Sequence, residues 1–399
     1  MRASVNPHDI LNAMRLSLKR GGGSTVAIAD IGSGSVALVV LEVNPGKPGT
    51  ILAAERSVLP IEERTPGATI TAIVSELGTV AKRVLAAYTA KFPKKSYPPS
   101  ELFCIVRAPW THSQTVFDGV RFEKETRITS ELISKIAKAA LGKATAIDRA
   151  NFFEASVVQV EVNGYPTASP EGKYASEIAV TALANDCNPD IRAGIERAVE
   201  TILPHATHVW RSGTRALLRL LRERSKQKDY FVIDVASEGT NLVVVRDNAP
   251  AEQNFINEGV RTILRRVAPS GMPEETLTLL RMIAEDQCSN PACEAVQASM
   301  ARVEPELVKL FGEAMAKCAA VRRIPGTLVL VVHPDLAHWL ASFFSRIDFT
   351  QFTQTTQPFT VETIGTNDMK RWVVPEHGVV LDGGLAIASA FVNIEKNEQ

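Results

Sequence analysis

Two short stretches, about two hundred residues apart, hold the residue types that could handle a phosphorylated ligand. Thr25-Val-Ala-Ile-Ala-Asp30-Ile-Gly-Ser-Gly-Ser35-Val-Ala-Leu-Val-Val-Leu41 reads as an apolar strand, a tight turn of small residues and a second apolar strand. Asp30 falls where the first strand ends. Gly32 and Gly34 permit a crowded turn, and Ser33 and Ser35 add hydroxyls beside its backbone N–H groups. Such a tip can cradle phosphate while the carboxylate holds a hydrated Mg²⁺. Tyr230-Phe-Val-Ile-Asp234-Val-Ala-Ser-Glu-Gly239-Thr240-Asn-Leu-Val-Val-Val245 repeats the pattern, with Ser237, Glu238, Gly239 and Thr240 in its turn. Facing each other across a cleft, two such hairpins could clamp a nucleotide, with Asp30 and Asp234 as the metal-facing carboxylates. Gly259, which opens a later helix, completes the candidate set.

The pair resembles the two phosphate motifs of the actin-like ATPase superfamily, and within it the bacterial branch of FtsA-like and PilM-like proteins. The first motif of that branch, D-I-G-[ST]-x-[SK]-V, is similar to Asp30-Ile-Gly-Ser-Gly-Ser-Val36. The second, D-I-G-x-x-x-T-[ND]-[LI], is similar to Asp234-Val-Ala-Ser-Glu-Gly-Thr240-Asn-Leu242, with Ala236 in place of a glycine. The resemblance implies a two-domain α/β actin-like (ribonuclease H-like) fold with a small inserted α+β subdomain of the SHS2 type. It implies ATP and Mg²⁺ as ligands and at most a slow ATPase. Glu238 and Asn241 are the residues placed to orient an attacking water.

The implied role is an FtsA-like cytoplasmic scaffold of cell division, assembling at the inner face of the membrane. The alternatives are a PilM-like scaffold of type IV pilus assembly, a pseudo-ATPase that has lost ATP, and a small-molecule kinase of the same fold. The implied partner is membrane-associated, either a tubulin-like division protein or a pilus inner-membrane protein, with self-assembly a further expectation. The adenosine side departs from the family pattern. Where a glycine-rich turn belongs, after the apolar run Thr327–Val332, the chain reads His333-Pro334-Asp335, and Pro334 stiffens the turn and removes a donor. Gly383-Gly384 resembles the family's final small-residue helix start. Arg281 is the candidate for a lysine found near the nucleotide.

Other chemistry finds little support. His205-x-x-His208 has no companion cysteine or carboxylate nearby, and Gly32-x-Gly34 lacks the third glycine and following helix of a dinucleotide fingerprint. Arg215, Arg219, Arg222, Arg224, Lys226 and Lys228 form a basic run without interleaved aromatics, read as a solvated face rather than a nucleic-acid site. The formal net charge of zero also gives no reason to expect nucleic acid. Five scattered cysteines suit a reducing cytosol, with Cys288 and Cys293 read as ordinary core or surface residues. No apolar run reaches the length of a membrane span and no export signal is expected, so the chain is read as cytoplasmic or peripheral to the inner membrane.

The elements that must position the hairpins follow from periodicity. Residues 1–24 are expected to be a flexible tail containing a short basic amphipathic stretch (Ile10, Leu11, Met14, Leu18). Residues 25–100 and 188–228 form the first domain, 101–187 the inserted subdomain and 229–399 the second domain. Helices are expected from Thr69 to Ala90, from Thr129 to Leu141, from Asp190 to Leu203, and near Ser212–Leu221.

Overall fold

The computed structural model describes residues 24–93, 98–225, 227–268, 271–288 and 290–398. The amphipathic stretch at 8–20 and Lys226 lie outside them. The chain opens with an antiparallel meander of β1 (Ser24–Ile31), β2 (Ser35–Val43) and β3 (Gly49–Val58). Helix α1 (Pro66–Lys91) starts where the Thr65 hydroxyl accepts from Ala68 N and Pro66 takes the first turn. It buries Ile73, Leu77, Val80 and Val84, three or four residues apart, on one face of that meander. The chain then returns through β4 (Glu101–Val106), parallel to β1, with Asp30 opposite Ile105.

The inserted unit is β5 (Thr111–Arg127), α2 (Ser130–Leu141), β6 (Phe152–Val162), β7 (Tyr165–Pro166) and β8 (Tyr174–Cys187). Its four-stranded sheet runs β5-β8-β6-β7. Ile133, Ile136 and Ala140 of α2 pack on one face of it, against Val116, Val160, Ile178, Val180 and Ala182. Helix α3 (Pro189–Ile202), β9 (Thr207–Ser212) and α4 (Gly213–Arg224) follow.

The second domain repeats the first. Strands β10 (Tyr230–Val235), β11 (Thr240–Arg246) and β12 (Ala249–Ile256) form its meander, followed by α5 (Val260–Val267), α6 (Pro273–Ala284) and α7 (Pro291–Cys318). Strand β13 (Thr327–Val331), α8 (Pro334–Arg346) and β14 (Thr360–Thr363) complete it. The chain then adds β15 (Val373–Pro375) and α9 (Gly383–Glu398). Sheet orders β15-β3-β2-β1-β4-β9 and β12-β11-β10-β13-β14 share one plan, a meander whose first strand has parallel neighbours on its other side.

Helices α4 and α9 are common ground for both sheets. One apolar cluster takes Val26, Ile28 and Val39 from the first sheet, Val232, Val243 and Val329 from the second, Leu217 and Leu221 from α4, and Phe391 from α9. From Leu385 to Ile394 every residue of α9 is buried, as a helix enclosed on all sides requires.

Several expectations change. Glu101–Val106 belongs to the six-stranded first sheet rather than to the inserted unit: the prolines before it mark a loop into a parallel strand, not a boundary between units. Likewise β15 pairs with β3, and α9 packs in the core shared with the first sheet, so 373–398 leaves the second sheet's unit. The arginines of α4, read as a solvated face, are each bonded: Arg215 to Glu154, Arg219 to Glu398, Arg224 to Glu362 and Asp368, and Arg222, which stays exposed, to Val158 O. Cys288 and Cys293 are joined as a disulfide.

Candidate functional site

Both carboxylate hairpins form as the sequence predicts, with Asp30 paired across its meander with Ala37 and Asp234 with Asn241. They are adjacent. A Cβ built on Gly34 at the first tip would collide with the Ser237 hydroxyl of the second and would lie 2.7 Å from Arg261 Nε. The first turn is closed by Gly32 N donating to Ser35 O at 3.0 Å, and Leu59 N donates to Gly34 O at 2.9 Å. The second is closed by Ala236 N donating to Gly239 O at 2.9 Å.

Asp30 is 1 % exposed and both its oxygens are engaged by arginines. Arg107, just after β4, donates Nε to Oδ1 at 2.5 Å, and Arg56 of β3 donates Nη2 to Oδ2 at 2.6 Å. Arg56 also reaches Asp382 through Nε at 2.7 Å and Ser35 Oγ through Nη1 at 2.9 Å. Arg107 donates to Gly384 O at 3.1 Å. Gly384 itself sits over the carboxylate, where a Cβ would be 3.0 Å from Arg56 Nη2 and 3.4 Å from Asp30 Oδ2. Burial alone would raise the Asp30 carboxyl, but Arg107 and then Arg56 outweigh it and hold the group below the ordinary carboxylate range.

Asp234 is treated differently. Its carboxyl is pushed above the ordinary range by burial, with the Asp30 charge adding to the push and Arg107 pulling against it. Around the second tip, Gly259 is required by close approach: a Cβ there would lie 2.5 Å from Ala236 O and from Gly239 N. Val260 N and Arg261 N then donate to Ala236 O and Ser237 O, each at 2.9 Å, so the start of α5 is bonded to the turn. Thr240 donates its hydroxyl to Glu258 O at 2.6 Å. Glu238 pairs with Arg265 at 3.1 Å. Ser33 lies buried with its hydroxyl unpartnered.

The His333-Pro334-Asp335 turn caps a helix. His333 Nδ1 accepts from Asp335 N at 3.3 Å, and Asp335 pairs with Arg281 at 2.6 Å. Arg281 is thus engaged with that turn.

These residues do not fit Mg²⁺–ATP as arranged. A hydrated cation would meet Asp30 between two guanidinium groups, each bonded to one of its oxygens, whose charge would repel it. A triphosphate needs space between the tips, and Ser237 and Arg261 fill it. Sequence reading missed Arg56, Arg107, Arg261 and Asp382. Their local signal is slight: Arg107 follows an apolar strand, and Arg261 shares α5 with Ile263, Leu264 and Val267, all buried.

A second concavity, of about 520 Å³, lies where three units meet. The inserted sheet gives Val157, Val158 and Leu183, α4 gives Leu218, Arg215, Arg219 and Arg222, the β11–β12 turn gives Asn248, and the start of β12 gives Pro250. Glu154 of β6 braces this junction, accepting from Ser212 N at 2.9 Å and pairing with Arg215.

No family model and no curated protein sequence matches the chain. Solved structures do. A chain of the PilM-PilN type IV pilus biogenesis complex superposes with a TM-score of 0.57, covering 92% of this chain and 98% of that one at 13% identity. The ethanolamine utilization protein EutJ from Carboxydothermus hydrogenoformans aligns with 96% of this chain and 100% of its own, with a TM-score of 0.42 and 10% identity. An exopolyphosphatase from Cytophaga hutchinsonii aligns with 94% of this chain and 90% of its own, at 0.36 and 10%. The likeness is one of fold: the chain has the two-domain actin-like ATPase fold with an inserted α+β subdomain. Among the described residues no helix is long and apolar enough to cross a membrane.

Proposed function

We propose that this actin-like chain is a PilM-type scaffold that holds a short segment of a membrane-associated partner, and that it performs no phosphoryl transfer. The observation that carries the reading is the concavity between the inserted sheet, α4 and the β11–β12 turn. Its apolar wall of Val157, Val158, Leu183 and Leu218 suits one or two apolar anchors of an extended peptide, beside a rim where Arg215, Arg219 and Arg222 are held by Glu154, Glu398 and Val158 O. A ligand there touches all three units at once. The structural similarity to a chain of a PilM-PilN complex supports the same reading. The division-scaffold role stays as the second reading, because the inserted subdomain suits both branches.

Photo-crosslinking tests it. A photoreactive side chain at Val157, which is 39% exposed, is expected to capture the non-membrane tail of a pilus inner-membrane protein. Val157→Asp is expected to abolish capture by a photoreactive group at Pro250 while leaving the fold intact. Capture of a tubulin-like division protein favours the second reading. Capture of the same partner despite Val157→Asp places the docking site elsewhere.

A further inference from the structure

We infer that Arg261 acts as a built-in clasp that takes the place of a nucleotide, holding the two hairpin tips together so that closure of the two domains is independent of Mg²⁺–ATP. One residue is bonded to both tips. Its backbone N–H donates to Ser237 O at 2.9 Å, within the second tip. Its guanidinium crosses to the first, donating Nη2 to Gly34 O at 3.3 Å and to Leu59 O. It is 4% exposed, and its nearest carboxylate oxygen, on Glu238, is 4.0 Å away. Bonds from a buried guanidinium to two backbone carbonyls are charge-assisted and directional.

The surrounding charges suit permanent closure. Arg56 and Arg107 already neutralise Asp30 and Asp382, so no anion or cation from outside is needed to balance the cleft. Glu274 of α6 adds a second link across the domains, accepting from Ile61 N at 2.6 Å. At the far end the domains share the apolar cluster around α4 and α9. In an actin-like fold that uses ATP, ligand contacts to both halves stabilise the closed state. Here side chains from the protein make the cross-domain contacts.

Hydrogen exchange on the full chain tests this, and it does so whether or not the partner-docking reading holds. Arg261→Ala is expected to speed exchange in the segments 31–36, 57–62 and 235–240 by roughly tenfold or more, with no change within the sheet of the inserted unit. Arg261→Lys, which keeps charge and bulk, is the safeguard against misfolding and is expected to fall between. Millimolar Mg²⁺–ATP is expected to leave wild-type exchange unchanged. Protection of those segments by Mg²⁺–ATP in the wild type overturns the inference. So does wild-type exchange in both variants.

Discussion

The two hairpins begin from the same pattern of strand, aspartate, small turn and strand, and they end in opposite electrostatic states. Asp30 is the centre of an ion cluster with Arg56, Arg107 and Asp382, and is held ionised. Among the described residues Asp234 forms no salt bridge, and burial pushes it toward its protonated form against the pull of Arg107. The backbone of each hairpin is decided locally. The charge on each carboxylate is decided by residues that the fold brings in from far along the chain. A motif therefore reports the shape of a site more faithfully than its occupancy.

That contrast can be broken experimentally. The largest effect is expected from Arg107→Ala, which strands part of a buried carboxylate and should lower unfolding free energy by about 3 kcal/mol in urea titrations. Asp30→Asn should cost about 2–3 kcal/mol, since it leaves two guanidinium groups facing each other. The identical change at the other hairpin, Asp234→Asn, should stay within about 1 kcal/mol of wild type, because a neutral side chain suits that site. Equal losses at the two positions would erase the distinction.

The glycines sharpen it. Gly34→Ala forces the Ser237 hydroxyl and Arg261 apart and is expected to cost about 1–3 kcal/mol, whereas Gly32→Ala meets only Ser35 O at 3.5 Å and should be nearly silent. The smallest effect is in pH dependence. The folded-state acidity of Asp30 is strengthened, so the stability it contributes is present above the ordinary aspartate range and fades as pH falls through its lowered value. That of Asp234 is weakened, so its effect runs the other way, stability declining as pH rises from the ordinary range through its raised value. Urea midpoints between about pH 3 and 7 should therefore flatten on the acid side in Asp30→Asn and on the neutral side in Asp234→Asn.

Much of the architecture was legible because it is written in short-range patterns. The apolar run Thr327–Val332 supplies β13, which pairs in parallel with β10. Thr129 before Ser130 announced the start of α2, and its hydroxyl accepts from Leu132 N at 3.2 Å. The long β5 escaped notice because its half-exposed residues, Phe117 and Val120 among them, do not alternate cleanly with polar ones. The ion cluster escaped for a different reason. Arg107 meets Gly384, and Arg56 meets Asp382, only because α9 returns to the first sheet, and no local pattern records that return. The basic run of α4 misled in the same way, since the acids that pair with it come from β6, β14 and the end of α9.

The path of α9 also sets an order of assembly. The second sheet is built from one uninterrupted length of chain, 230–363, so it can be completed while the remainder is still being synthesised. The first sheet's edge strand β15 and its buried neighbour α9 come last. Until residues 373–398 are made, Val26, Ile28, Val39 and Leu41 have only the α4 and second-sheet part of their shared cluster to pack against. A chain made from its N-terminus thus finishes its first domain last, and that incompletely covered face is where a nascent-chain chaperone would be expected to bind.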